Sequence, residues 1–413
     1  MRLHDMTPTR EECAALDAAD PLAAFRAEFS LPEGVVYLDG NSLGALPART
    51  AERVRRLVEV EWGQELIRSW NDAGWFELPH TLGSRIAPLV GAAPGQVVVC
   101  DTTSVNLFKV LTAAMRLRPG RRTVLAEQAA FPTDLYIAEG VTGLVEGSRS
   151  VLLPSAADLD RLLDEDVAAV VLSHVDYRTG ELLDMDGITD QVQRAGALVI
   201  WDVCHSVGAL PIELDACGVD FAVGCTYKYL NAGPGSPAFL YAAERHQAAA
   251  ANPLSGWFGH ARPFEFEPGY EPLPGIGRFL TSSPSMLGQT ALAASLDVWE
   301  KADLHAVRAK SLALTDLFIS LVEPLGLEVV TPREHDRRGS QVALRHPDGY
   351  PVVQALIERG VIGDFRAPDL MRFGFTPLYV GHQDVWDAAR HLTEVLESGE
   401  WRAERFSRRG AVT

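Results

Sequence analysis

The chain predicts an α/β fold: a mixed, mostly parallel sheet sandwiched by helices, with a smaller α+β lobe at the C-terminal end. Three observations carry that expectation. Short runs rich in β-branched residues alternate with helical periodicity through the middle of the sequence. Those runs are apolar at nearly every position rather than at alternate ones, and the last third returns to helical stretches with only short strands between them. A strand that is apolar throughout is buried on both faces, as in a parallel or mixed sheet between two helix layers. At 413 residues the chain exceeds what one core usually fills, so two lobes are expected.

Taken in order, the N-terminal arm carries Val35-Val36-Tyr37-Leu38-Asp39-Gly40-Asn41-Ser42-Leu43-Gly44. Its two glycines and its Asn-Ser pair suggest a tight turn with exposed polar groups, either a plain surface turn or a wall against a ligand. The runs Gln96–Cys100, Thr123–Leu125, Ala168–Leu172, Ala197–Trp201, Phe221–Gly224 and Ala238–Tyr241 read as strands. Leu107, Val110, Leu111, Ala114 and Met115 recur at helical spacing, which predicts an amphipathic helix over Ser104–Arg116. The alanines at 248–251 read as a helix end. Beyond them come one long helical stretch over Thr290–Val322, strands at Leu327–Val330 and Gln341–Arg345, and helices near Val352–Glu358 and Asp384–Glu397. The expected division is an arm over 1–47 associated with the small domain, a large domain over 48–295 and a small domain over 296–413.

Lys plus Arg number 37 against 55 Asp plus Glu, a formal charge of −18, which opposes nucleic acid and anionic membranes as partners. The opening residues lack the apolar core of a signal peptide and no segment approaches a membrane span, so a cytoplasmic protein is expected. The five cysteines show neither Cys-x-x-Cys nor zinc spacing, which predicts reduced thiols and no metal site. No Gly-x-Gly-x-x-Gly, Walker-type or His-Glu-x-x-His motif occurs, so dinucleotide, P-loop and zinc-peptidase readings lack their central feature.

The chemistry gathers at strand ends. Phe221–Gly224 runs into Cys225-Thr226-Tyr227-Lys228-Tyr229-Leu230-Asn231, with one lysine just past the strand, and Leu198–Trp201 ends in Asp202 with His205 three positions on. Each residue alone has an ordinary reading, a solvated lysine or a turn-capping aspartate. Together they are the arrangement pyridoxal phosphate needs: the acid keeps the pyridinium nitrogen protonated, and the amine carries the aldehyde. Asp101-Thr102-Thr103-Ser104, between a strand and the amphipathic helix, fits either an anion site or a simple N-cap. Ligands in open α/β sheets bind beyond the carboxyl ends of strands. Thr103, Ser104, Ser173, Asp202, Tyr227 and Lys228 all fall there, so the candidates converge on one crevice.

With these residues placed, the sequence resembles the kynureninase family, pyridoxal-phosphate hydrolases of fold type I. The likeness is carried by the Tyr37–Gly44 segment, Phe131-Pro132-Thr133-Asp134, Asp202-Val203-Cys204-His205-Ser206, Tyr227–Gly233 and Gly256-Trp257-Phe258-Gly259-His260. The resemblance implies that Lys228 holds the cofactor aldehyde, that Asp202 pairs with the ring nitrogen and that His205 lies close by. It implies that Phe131, Pro132, Thr133 and Asp134 supply ring stacking and a polar partner. Thr103, Ser104, Tyr227 and Trp257 are then expected at the phosphate, and Ser173 at the ring oxygen. Trp257 and the segment near Ser283 are implied to come from a second subunit, giving a homodimer with shared active sites. Met371–Tyr379 resembles the family's carboxylate-binding segment. Arg372 is favoured there over its neighbour Arg366, and Asn41, Ser42 and Gln64 are expected toward the substrate. The implied reaction is hydrolysis of L-kynurenine to anthranilate and L-alanine, with Tyr227 either delivering protons or anchoring phosphate. Gln64, and Ser283 before Pro284, fit the bacterial pattern, which implies a preference for L-kynurenine over its 3-hydroxy form. Cys204, where alanine is more usual, reads as packing. The rival readings are a cysteine desulfurase-like lyase, an aminotransferase and a cofactor-binding protein without turnover. A desulfurase needs a nucleophilic cysteine in its C-terminal part, and no cysteine follows Cys225.

Overall fold

The computed structural model describes residues 8–410. A seven-stranded sheet is formed by β1 (Val97–Val99), β2 (Thr123–Glu127), β3 (Arg149–Leu153), β4 (Val167–Ser173), β5 (Leu198–Asp202), β6 (Phe221–Gly224) and β7 (Phe239–Ala242). Its spatial order is β1-β7-β6-β5-β4-β2-β3. Every strand is parallel except β7, which runs antiparallel to both of its neighbours. The strands divide their side chains between two apolar clusters, one on each face. Leu198 and Ile200 go to one, Val199 and Trp201 to the other, the period-two split of a strand buried on both sides. β3 breaks the expected pattern. It is an edge strand with Arg149 and Leu152 exposed, so it offers no continuous apolar run to read.

Parallel strands bring their carboxyl ends to one edge. Ser173 pairs in register with Asp202, and Asp202 with Val223, so the tips of β4, β5 and β6 stand side by side. The helix after β1 spans Thr103–Leu117 and packs its Leu107, Val110, Leu111 and Ala114 face into the core.

A second, antiparallel sheet contains β8 (Glu328–Val329), β9 (Gln341–Arg345), β10 (Asp364–Arg366) and β11 (Leu370–Gly374), in the order β8-β9-β11-β10. Helices Leu304–Val322, Gly349–Glu358 and His382–Ser398 accompany it. The stretch read as one helix over 290–322 is two, Met286–Trp299 and Leu304–Val322. The second begins where Asp303 accepts the His305 N–H at 2.9 Å, and a side chain that caps a helix start interrupts a continuous rod.

The N-terminal segment lies against this second sheet and its helices. Helix Arg10–Ala19 packs on His382–Ser398, where Asp17 accepts the N–H groups of His382 and Gln383 at 2.6 and 2.9 Å. Val36–Tyr37 pairs in parallel with Val361–Ile362, and Asp39 bridges to Gly374 at the end of β11. The chain turns immediately afterwards, with Ser42 N donating to Asp39 O at 2.9 Å. No described helix is long and apolar enough to cross a membrane.

Candidate active site

A cavity of about 210 Å³ opens where the strand tips of the large sheet meet the β10–β11 hairpin and the 39–42 turn. Lys228, Asp202, His205, Tyr227, Thr103, Ser104, Phe131, Thr133, Asp134, Ser173, Asn41, Ser42 and Arg372 all line it. Each reaches it for a local reason. Thr102, not its neighbours, caps the Thr103–Leu117 helix by accepting the Val105 N–H at 3.3 Å. The next two hydroxyls and the first free N–H groups are thereby left to the cavity. Pro132 does not line the cavity. It opens helix Pro132–Gly143 from its first position, where a missing N–H costs nothing, and so sets Thr133 and Asp134 on the first turn.

Lys228 Nζ lies 2.9 Å from His205 Nε2. Burial first, then the nearby Lys228, Arg372 and Arg366 charges, push the imidazole well below its usual range, so His205 stays neutral. Asp202 accepts the Cys204 N–H at 2.7 Å. Asp134, buried beside it, is pushed well above the carboxylate range by burial and then by the Asp202 charge, so Asp134 keeps its proton. Glu127, at the tip of β2, accepts the Ser173 N–H at 3.3 Å and is itself raised to about 7, chiefly by burial. Burial likewise raises the Tyr227 phenol and keeps it protonated. Its ring centroid is 5.8 Å from Lys228 Nζ.

The turn at 39–44 is not an exposed polar one. Asn41 is fully buried and donates to Gln341 Oε1 at 3.2 Å. The glycines serve close approach rather than an unusual dihedral. A Cβ at Gly44 would sit 2.2 Å from the carbonyl oxygen of Lys228, and one at Gly40 2.2 Å from Thr376 Oγ1. The arm therefore presses directly on the backbone that carries the lysine.

Gln64, Trp257 and Ser283 do not reach this cavity. All three are exposed elsewhere on the chain, Gln64 on the wide helical turn Leu57–Glu65 and Trp257 in a group of aromatic rings with Phe258 and Phe264. Conversely, Val175, Tyr177, Arg366 and Cys204 line the cavity. Val175 and Tyr177 sit in the loop just past β4, and that position beyond a strand end was the available signal. Cys204 is more than filler, because its Sγ accepts the Cys225 N–H at 3.0 Å.

Against sequences of known function, the chain is 52% identical over 414 residues to a kynureninase of Burkholderia pseudomallei, covering 98% of this chain and all of that one. The chain belongs to the kynureninase family. Its residues 307–392 also match the model of the kynureninase C-terminal domain, the part that contributes β9–β11 and Arg372. Among solved structures, the cysteine desulfurase CsdA of Escherichia coli superposes with a TM-score of 0.75 at 20% identity, over 91% of this chain and 98% of that one. A C-DES structure described with glycine covalently linked to its pyridoxal-phosphate cofactor gives 0.76 at 18% identity, over 89% and 98%. These two likenesses show the fold alone.

Proposed function

We propose that this kynureninase-family chain hydrolyses L-kynurenine to anthranilate and L-alanine, with pyridoxal phosphate as its cofactor. The observation that carries the reading is the pairing, in one cavity, of the Lys228–Asp202 strand tips with two arginines at the opposite end, in a chain 52% identical end to end to a kynureninase. The donor set suits the cofactor. Hydroxyls and free N–H groups at a helix start suit a phosphate, the neighbouring acids Asp202 and Asp134 suit a pyridine nitrogen, and Phe131 offers a ring face. The buried Asp134 Oδ2 and His205 Nδ1, which have no partner among the described residues, fit polar edges of a bound molecule.

When bound, that group supplies an aldehyde that condenses with amines and a ring that draws electrons from the substrate's α-carbon. The chain's own residues do the rest. Lys228, steadied by neutral His205, takes the α-proton and returns it. Asp202, with the protonated Asp134 beside it, would hold the ring nitrogen, and Ser173, whose backbone N–H is held by Glu127, would meet the ring oxygen. The arginine end, with Ser42 and Asn41, receives the α-carboxylate. Water adds at the γ-carbonyl and the Cβ–Cγ bond breaks. The aryl fragment leaves as anthranilate, and a proton delivered to Cβ completes alanine. Tyr227, kept protonated by burial, is assigned that delivery.

Gln64, Trp257 and Ser283, exposed and away from their own chain's cavity, are assigned to the cavity of a second copy, in a cytoplasmic homodimer that prefers L-kynurenine to the 3-hydroxy compound. Support comes from a continuous run of ring contacts, Trp75–Trp70–Phe258–Phe76–Phe264, ending at Trp257, with Phe264 and Phe266 left exposed. The deciding assay is purified protein with pyridoxal phosphate and L-kynurenine. Anthranilate fluorescence and alanine without any keto acid are expected. No anthranilate, or a strict keto-acid requirement, overturns the reading.

A further inference from the structure

Two thiols meet at the strand-tip end of the cavity, and the register of the sheet brings them together. In the parallel pair of β5 and β6, Trp201 stands opposite Ala222 and Asp202 opposite Val223. Carrying that count two residues past the tips puts Cys204 opposite Cys225, and on the way the Val203 N–H still donates to Val223 O at 2.9 Å. Neighbouring strands lie about 4.7–4.9 Å apart, inside the roughly 4.4–6.8 Å Cα separation that a disulfide spans. The side chains turn toward each other. Cys204 Sγ accepts the Cys225 N–H at 3.0 Å, and Cys225 Sγ lies 3.9 Å from the Cys204 carbonyl oxygen. Both are free thiols.

The pair joins the two turns that carry the chemistry. Asp202 accepts the Cys204 N–H at 2.7 Å, and His205, the next residue, lies 2.9 Å from the Nζ of Lys228, three positions after Cys225. Cys204 also lines the cavity, with its sulfur 3.7 Å from Thr103 Oγ1, so a water-sized oxidant in the cavity reaches it. The hydrogen bond to Cys225, then burial, hold the Cys204 thiol well above its ordinary value. Burial raises Cys225 too, but that same bond and the Lys228 charge outweigh it and bring the thiol below its ordinary value. Cys225 is thus the sulfur able to relieve Cys204 of its proton.

We propose that Cys204 and Cys225 are a covalent modification site, a dithiol that hydrogen peroxide closes to a disulfide, reversibly inactivating the cavity. The Cys204 sulfur attacks one peroxide oxygen: an S–O bond forms, the O–O bond breaks, and the departing oxygen leaves as water with one thiol proton. The Cys225 sulfur then attacks the Cys204 sulfur. The S–S bond forms, the S–O bond breaks, and the second oxygen leaves as water with the other thiol proton. Two electrons pass from the thiols to the peroxide. Closing the bond withdraws the Cys204 sulfur from the Cys225 N–H and the Thr103 hydroxyl. It also draws together the turns that set Lys228 against His205 and Asp202, a geometry that tolerates little displacement.

The test treats the pyridoxal-phosphate holoenzyme with peroxide and reads a non-reducing peptide map beside anthranilate release and the cofactor's absorbance. Wild type is expected to yield a peptide joining Cys204 to Cys225, two hydrogens lighter than its parts, with turnover down about tenfold or more. Dithiothreitol should undo both. Cys225→Ala leaves Cys204 without the thiol that resolves it, so the loss should persist after dithiothreitol, with Cys204 oxidised past the sulfenic acid. Cys204→Ala, compared with its own untreated sample, should stay within about twofold and form no linked peptide. Should no anthranilate form at all, the linked peptide and a reductant-reversible change in absorbance still decide the matter. Cys217, half-buried in a different pocket, is the dose control. The proposal is overturned if Cys217 is oxidised while Cys204 and Cys225 remain unlinked, or if the linked peptide forms and both turnover and absorbance stay as they were.

Discussion

A phenol that burial keeps protonated is available as a proton donor and not as a base, and that decides what Tyr227 has to offer. Replacing it with phenylalanine keeps the ring packed and removes only the donor. Tyr227→Phe is expected to retain its cofactor and lose about 10²- to 10⁴-fold in kcat, read by anthranilate release. Undiminished turnover would leave the residue as an anchor alone. Asp39 gives a pH signature at the same scale. It faces Asp364, Arg366, Arg372 and Ser42, with the phenols of Tyr37, Tyr229 and Tyr379 around it. Free, it titrates at about 7. An arriving carboxylate raises it further, so binding takes up a proton. Affinity for L-kynurenine is therefore full below about pH 7 and falls above it, by up to about tenfold per unit. Asp39→Asn should flatten that limb of the KM profile, and an unchanged slope in the variant would exclude Asp39 as its source. At this scale the sequence was informative wherever a motif marked a residue: Lys228, Asp202, Thr103 and Ser104 stand at strand ends that apolar runs announce. Asp364 and Glu127 were silent, because an acid paired across a strand or against a neighbour's N–H looks in sequence like any other acid.

Elements position these residues, and the helix that opens at Thr103 shows how. Asp101 precedes it in a left-handed conformation, φ 45°, and Lys109 on that helix is fully buried, reaching back to Asp101 and to Phe279 O at 2.6 Å. The ion pair ties the helix to the tip of β1 and so fixes where the Thr103 and Ser104 hydroxyls point. Asp101→Asn keeps the shape and leaves a buried ammonium without its counter-charge, at an expected cost of about 3 kcal/mol. The midpoint of denaturant unfolding and the retention of pyridoxal phosphate on gel filtration would both fall. If stability drops but the cofactor stays, the pair is structural only. Elements were legible in proportion to their burial. β4, β5 and β6, apolar along their length, are readable from composition. The half-exposed β3 and the three-residue β10 carry no such run, although β10 brings Arg366 to the cavity. Gly40 and Gly44 were read as turn formers, yet their role is contact distance, which no local pattern encodes.

At the scale of the whole molecule the question is what covers Trp257. Phe266 is 86% exposed and Phe264 and Trp257 stand open beside the packed rings beneath them, a surface expensive to leave in water. A sequence cannot distinguish such aromatics from core ones, because both are simply aromatic; only the fold shows which have no cover. If two copies meet there and each completes the other's cavity, then Lys228 and Trp257 acting on one substrate belong to different chains. Lys228→Ala and Trp257→Ala proteins, each impaired alone, should then complement on mixing. Random reassociation makes half of the dimers hybrid, and one of the two cavities in each hybrid carries both native residues, so activity should return to about a quarter of wild type. Unmixed controls should not gain. Recovery that rises with the time allowed for subunit exchange and halts when the chains are cross-linked beforehand would tie it to shared cavities. A mixture that remains at the sum of its parts after complete exchange, shown by mass-tagged subunits, would mean that each chain owns its whole site.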